Sequence, residues 1–283
     1  MKFEFATTTR IIFGPKTIQE VAPLAAKLGG LAFVITGRTI ERAKSLLEQI
    51  NKKGIEAVTF NVTGEPTTTS VKEAVKQARQ AKSNLVISIG GGSVIDTGKA
   101  VAAMLTNKGN LEDYLEVVGP GKPLTQTPVP HFAIPTTAGT GAEVTSNAVI
   151  GVPEHKVKVS MRSPLMLPRL AVVDPELTYS MPPSVTASTG LDAITQLIEP
   201  YVSNKANPLT DGVCREGLKR AGRSLRTAYE NASNTAACGE PCRTAREDMA
   251  LASLFGGLAL ANAKLGAVHG LAGPLGGMIS APH

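Results

Sequence analysis

The sequence predicts two successive folding units: an α/β domain with a parallel sheet over residues 1–180, and an all-α domain over 181–283. Three observations lead there. Short apolar runs alternate with helical patterns in the first half, and strand-like runs largely stop after Pro182-Pro183. Beyond that point Leu, Ala and charged residues recur at helical spacing through Leu265. The length of 283 residues agrees with about two domains of ordinary size.

Taken in order, LAFVIT (Leu31 to Thr36) reads as a buried strand. A helix is expected from about Thr39 to Lys53, with Ile40, Ala43, Leu46, Leu47 and Ile50 on its apolar face and Gly54 closing it in the left-handed region. EAVTF (Glu56 to Phe60) is the next strand, Ser70 to Ala81 the next helix, and LVISI (Leu85 to Ile89) the strand after it. Strand–helix–strand units of this length specify parallel pairing with helices on the faces. His131 to Pro135 and Leu170 to Asp174 read as two further strand ends, and the boundary between the units falls near 175–182. In the second half a helix is expected after capping residues Ser188 and Thr189, and a loop from Asn231 to Arg243 interrupts the helical pattern.

Composition narrows the function classes. Hydrophobic residues make up 42% and charged residues 18%, enough for packed cores and incompatible with global disorder. Net charge is +6, yet aromatics are only 4%, Trp is absent and no run of five basic residues occurs. A nucleic-acid surface is therefore not supported, and a site for a small anion such as phosphate is the milder reading. There is no uninterrupted apolar stretch of about eighteen residues, so no membrane span is expected. Glu4 and Arg10 break up the N-terminus, which lacks the apolar core of a signal peptide. Cys214, Cys238 and Cys242 cannot all pair, which suits a reduced, cytoplasmic protein, with Cys238 and Cys242 as loop cysteines.

Two loops carry the chemistry. Strand LVISI runs into Gly90-Gly91-Gly92-Ser93 and then a helical stretch, where exposed main-chain N–H groups and the helix N-terminus suit an anion. Ser93 can cap that helix or donate to a phosphate oxygen. The spacing is not the usual dinucleotide fingerprint, because Ile95 stands where its third glycine belongs, nor that of a nucleotide-triphosphate loop. The second loop, Pro135 to Glu143, follows a strand with three threonine hydroxyls and two glycines. Two such loops at carboxyl ends of parallel strands can grip one ligand between them.

GGGSVIDTGKA, IPTTAGTGAEVTSNAVI, LPRLAVVDPEL, GLDAITQLIEPYVS and AVHGLAGPLGGMISAPH, in that order and spacing, resemble the iron-containing (group III) alcohol dehydrogenases over essentially the whole chain. The resemblance implies an N-terminal dinucleotide-binding domain and a helical metal and substrate domain. It implies hydride exchange between an alcohol and an aldehyde or ketone, in a cytoplasmic homodimer or higher homo-oligomer. Gly91, Gly92 and Ser93 would then contact the pyrophosphate of NAD or NADP, with the cofactor-binding Asp96 and Lys99 in the same motif. Thr136, Thr137 and Thr140 would flank the cofactor, and Lys158 would reach the nicotinamide ribose. Gly37 and Arg38 occupy the adenosine-ribose corner, where many relatives carry Asp. Arg38 would attract a 2′-phosphate, so NADP is favoured.

The same resemblance assigns the divalent metal, Fe²⁺ or Zn²⁺, and the catalytic centre to Asp192, His269 and His283. Where family members carry a further ligand histidine, this chain has Gln196, four residues after Asp192. A family histidine near the substrate is replaced by Gly273. Three arrangements stay open at this level. Asp192, His269 and His283 alone suit Zn²⁺ with an open position, as in the similar glycerol dehydrogenases. The Gln196 amide oxygen can complete a weaker Fe²⁺ or Zn²⁺ site. Or the metal is absent, as in the similar maleylacetate reductases, which would make the chain a metal-independent reductase of an oxo-acid. A non-catalytic nucleotide-binding relative is the reading from a different class. His131 and His155 match no motif and read as a strand-end and a loop histidine. The chain stops at Pro282-His283, where relatives continue, so the helical domain is expected to be incomplete.

Overall fold

The computed structural model describes residues 1–232 and 238–279. The first half runs β1 (Ile11–Phe13), α1 (Val21–Ala26), β2 (Leu31–Thr36), α2 (Lys44–Lys52), β3 (Glu56–Asn61), α3 (Thr68–Gln80), β4 (Leu85–Gly90), α4 (Gly92–Thr106) and β5 (His131–Pro135). It continues through β6 (Asn147–Val152), β7 (Val157–Arg162) and β8 (Leu170–Val173). Six strands form one sheet in the order β1-β8-β5-β4-β2-β3, with every neighbouring pair parallel. β2 and β4 are apolar along nearly their whole length because both faces are covered.

Strand alternation divides the core into two layers. Val34, Leu85 and Ile87 face α1 and α2, meeting Val21, Ala25, Leu46 and Ile50. Phe33, Ile35 and Val86 face α3 and α4, meeting Val71, Val75, Val101 and Met104. Each fully buried aliphatic side chain contributes roughly 1.5–3 kcal/mol relative to exposure. From β2 the chain moves outward to β3, and from β4 it moves outward in the opposite direction to β5. The connections leaving β2 and β4 therefore part company at their carboxyl ends, which opens a crevice there.

The predicted strands at 31–36, 56–60 and 85–89 are present, and β5 spans the predicted residues 131–135. The expected helix at 39–53 opens with a 3-10 turn, Ile40–Ala43, and Gly54 follows its end at φ +75°. Three strands, and helix α1, were not anticipated. β1 is only three residues long and extends the sheet edge beside β8. β6 and β7 form a separate antiparallel hairpin, with His155 in the turn between them. Ser93 does not cap α4: the cap position is Gly91, and Ser93 lies within the first turn.

The second half is helical: α5 (Pro183–Tyr201), α6 (Pro208–Glu230), α7 (Glu240–Ala263) and α8 (Ala267–Met278). α5 begins five residues before Ser188, so Ser188 and Thr189 are interior positions rather than caps, and both hydroxyls donate back to the Val185 carbonyl. Pro183 is the first helical residue, a position where its missing N–H costs nothing. The expected loop to Arg243 is shorter, because α7 starts at Glu240. Cys238 and Cys242 are joined by a disulfide spanning the start of α7, which corrects the expectation of reduced loop cysteines; Cys214 is a free, buried thiol on α6. Cys238 lies just ahead of the helix and Cys242 in its first turn, with their Cα atoms 5.1 Å apart. α5, α6 and α7 pack through Leu197, Cys214, Ala221, Met249 and Ala252. Buried Asp248 of α7 accepts from Arg220, Arg223 and Ser224 of α6.

The halves meet where α7 crosses the loop after β5. Gly141 sits at φ +59°, and a Cβ there would lie 2.6 Å from the Gly257 main-chain nitrogen. Only glycine allows both that conformation and that approach. α8 is different in kind, since none of its residues is buried. Among the described residues, no single helix is long and apolar enough to cross a membrane.

Candidate functional site

The crevice at the sheet's carboxyl edge is lined by the ends of β2, β4 and β5. Gly91 is in extended conformation at the start of α4, leaving the first N–H groups of that helix unbonded within it. The threonine loop closes over this turn. A Cβ on Gly92 would lie 2.9 Å from Thr140 Cγ2, and one on Gly91 would lie 3.5 Å from Thr137. The Thr136 N–H donates to the Gly90 carbonyl at 2.9 Å, which fixes the two loops against each other. This cradle of bare main chain and threonine hydroxyls fits a pyrophosphate. At the end of β2, Thr36 carries a buried hydroxyl with no hydrogen-bond partner. Asn61 donates to the Gly37 carbonyl at 2.7 Å, and Arg38 donates to the Thr63 carbonyl at 3.1 Å.

Asp96 is engaged within the protein. Its carboxylate accepts from Lys99 at 3.1 Å and from the Val149 N–H at 2.9 Å, so it ties α4 to β6. Lys99 is fully buried and also donates to Thr145 Oγ1 and the Asn147 carbonyl, both at 2.7 Å. Burial lowers its pKa against the pull of Asp96. Nearby Glu143 is pushed up to about 7 by burial. His131, held by Ser88 at 2.9 Å, is pushed down to about 3 by burial and by Lys99. Lys158 projects from β7 and forms an ion pair with Glu65.

The second cluster lies between α5 and α8. Asp192 and Gln196 share one face of α5, as their spacing of four requires. His269 of α8 meets this face, with Nε2 3.3 Å from Asp192 Oδ1 and Nδ1 2.6 Å from Glu199 Oε2. Burial alone would lower the His269 pKa, but the Asp192 and Glu199 hydrogen bonds and charges reverse this and raise it. Burial pushes Glu199 upward, and its bonds from His269, Gly266 and Val268 outweigh that and hold it low. Gln196 is buried, and its Oε1 has no hydrogen-bond partner.

These donors fit a divalent metal. Two ligands about 2.0–2.1 Å from one ion at a tetrahedral angle stand about 3.3 Å apart, as Asp192 and His269 do. The Gln196 oxygen one turn along is buried without a partner and lies 3.8 Å from where a Cβ on Gly256 of α7 would sit. His283 lies outside the described residues, and among those residues no group of three or more His, Cys, Asp or Glu side chains is arranged to hold a metal. The crevice and this cluster are linked through α5: a Cβ on Gly139 of the threonine loop would lie 2.6 Å from Thr189 Cβ, one turn before Asp192.

Glu199 and Glu65 were not singled out from the sequence. Glu199 carried a signal, because positions 192, 196 and 199 follow the i, i+4, i+7 rhythm of one helical face. Glu65 carried none, since its partner Lys158 is far away in sequence.

A parallel sheet with this crevice, followed by helices presenting Asp and His beside it, suits a nucleotide ligand held next to a polar reaction site. The iron-containing alcohol dehydrogenase family model matches residues 8–175, and that of the Fe-containing alcohol dehydrogenase C-terminal domain matches 186–283. The chain belongs to the iron-containing alcohol dehydrogenase family. It is 35% identical to 1,3-propanediol dehydrogenase of Klebsiella pneumoniae over 99% of its own length and 71% of that protein's. It is also 35% identical to long-chain-alcohol dehydrogenase 1 of Geobacillus thermodenitrificans, over 98% and 70%. Among solved structures, a 1,3-propanediol oxidoreductase superposes with a TM-score of 0.90 at 34% identity, covering 100% of this chain and 72% of the other. Sulfoacetaldehyde reductase from Bifidobacterium kashiwanohense in complex with NAD⁺ gives 0.85 at 31%, covering 97% and 71%. The activity class is nicotinamide-dependent alcohol–aldehyde interconversion, and these relatives do not favour an oxo-acid reductase or a non-catalytic binder.

Proposed function

We propose that this chain works mainly as a metal-assisted reductase of a small aldehyde or ketone, with NADPH as the preferred hydride donor. The observation that carries the reading is the contact of Gly139 with Thr189, which sets the cofactor crevice against the helix bearing Asp192. The main-chain N–H groups of Gly91, Gly92 and Ser93 bind the pyrophosphate, and Thr136, Thr137 and Thr140 wall it in. Lys158, oriented by Glu65, donates to the nicotinamide ribose. Asp96 acts on this pocket indirectly, by fixing the α4 N-terminal region to the hairpin that carries Lys158. The nicotinamide supplies the hydride.

Asp192, Gln196 and His269, with His283, would hold the metal, which as a Lewis acid polarises the substrate oxygen when bound. The Cβ position of Gly273 is open, with nothing within 4 Å. The pocket is wider there than a histidine would leave it, and water or a second substrate hydroxyl relays the proton at that point.

Arg38 carries the coenzyme preference: its guanidinium is anchored at the end of β3, beside the ribose corner. A charge-assisted hydrogen bond to a 2′-phosphate is worth about 1.5–3 kcal/mol. Fluorescence titration of the protein with each reduced coenzyme tests this. NADPH should bind tighter than NADH, and Arg38→Ala should weaken NADPH about tenfold while leaving NADH unchanged. Tighter NADH binding in the unaltered protein would overturn the preference.

A further inference from the structure

Glu199 divides its carboxylate between two partners on α8. Oε1 accepts from the Val268 main-chain N–H at 2.7 Å, and the Gly266 N–H also contributes. The N-terminus of α8 has no side-chain cap of its own, since Gly266 occupies that position, so Glu199 satisfies the exposed donors from another helix. Oε2 takes the His269 Nδ1 at 2.6 Å. On the other side of the ring, Nε2 faces Asp192 Oδ1 at the longer distance of 3.3 Å.

A neutral imidazole carries one N–H, and the tautomer follows the better acceptor. Here that acceptor is Glu199, which is closer and buried. The ring is only 12% exposed, and each of its nitrogens faces a carboxylate that fixes how it is turned. We infer that Glu199 is a positioning residue that holds His269 as the Nδ1–H tautomer and aims the Nε2 lone pair at Asp192, using the carboxylate that also starts α8. The use of that lone pair by a metal rests on the reading given under Proposed function. Partners of this kind typically change metal affinity by 10–100-fold.

Glu199→Gln separates the two jobs. Its amide oxygen can still accept from Val268, which turns the NH₂ toward His269 and favours a proton on Nε2, where it blocks a ligand. Three readouts are needed: long-range ¹H–¹⁵N correlation of the His269 ring at a pH where it is neutral, Zn²⁺ affinity by chelator competition, and hydrogen exchange across α8. We expect Nδ1–H in the unaltered protein, and in Glu199→Gln a shift to Nε2–H, a Zn²⁺ Kd raised 10–100-fold and α8 protection retained. Glu199→Ala should lose α8 protection as well. Nε2–H in the unaltered protein overturns the assignment without recourse to any variant. So does a Glu199→Gln protein that keeps Nδ1–H and binds Zn²⁺ within twofold of the original. Nδ1–H with no Zn²⁺ binding in the unaltered protein instead sinks the metal reading and supports Glu199's hold on the ring.

Discussion

The glycine turn grows out of β4, every residue of which is buried, whereas His269 rides on α8, where none is. The first region presents main-chain N–H groups from a strand packed on both faces, and its shape needs no particular side chain beyond small ones. The second region presents a single imidazole, His269, on an exposed helix held by Glu199, by Asp192 and by close approach of Gly277 to β7. The geometry of the glycine turn is thus inherited from the apolar core, while that of the His269 cluster depends on a few polar contacts. A substitution in the core should disturb the first region and spare the second, and loss of one carboxylate should do the reverse.

The largest effect expected on that contrast is from Ile87→Ala. Ile87 is fully buried in the middle of β4, and truncation there costs about 2–5 kcal/mol, because neighbouring strands and helices relax only partly into the cavity. Thermal unfolding should show a fall in Tm on the order of 10 °C. A loss below about 1 kcal/mol would mean that the sheet is not the rigid partner.

A middle-sized effect concerns pH and two buried groups of the sheet half. His131 titrates near 3 when folded against 6.5 ordinarily, so the unfolded chain takes the proton first and stability is lost as pH falls from about 6.5 toward 3. Glu143 titrates near 7 when folded against 4.5, so the folded chain holds its proton longer and stability is lost as pH rises from about 4.5 to 7. The two slopes oppose each other between about 4.5 and 6.5. Urea denaturation from pH 4 to 8 should show Glu143→Gln flattening the alkaline limb, by on the order of 1–3 kcal/mol. An unchanged limb would place the titration elsewhere.

The smallest effect is Leu271→Ala, at a residue of α8 that is 66% exposed. It should change stability by no more than about 0.5 kcal/mol in the same unfolding assay. A cost approaching that of Ile87→Ala would erase the distinction between the two regions.

The sheet was legible where burial on both faces leaves an unbroken apolar run, as in LAFVIT and LVISI. β1 is too short to show a period, and β6 alternates buried with open positions between charged and glycine-rich flanks, so both escaped notice. The start of α5 was misplaced because Pro182-Pro183 reads equally well as a break or as a beginning. The Cys238–Cys242 bridge eluded a reading based on compartment, although the turn into α7 brings the pair together. At the candidate site, motif positions were visible as residue types. What they touch was not: Asp96 turns to Lys99 and Val149, and Glu199 turns to a helix nearly seventy residues later.

The Gly256-Gly257 pair of α7 has two neighbours. On one side a Cβ on Gly257 would overlap Gly141 of the threonine loop, and on the other a Cβ on Gly256 would lie 3.3 Å from Gln196 Cβ and 3.5 Å from the Ala193 carbonyl on α5. At Gly141 the threonine loop and α5 are therefore separated by one bare helical backbone, while at Gly139 the same loop meets α5 directly. Such a spacer has no rotamers, so its width cannot drift as side chains exchange conformations. Hydride transfer tolerates misplacement of only about half an ångström. The molecule gauges that gap with main chain, as a machinist sets a clearance with a solid block rather than a spring.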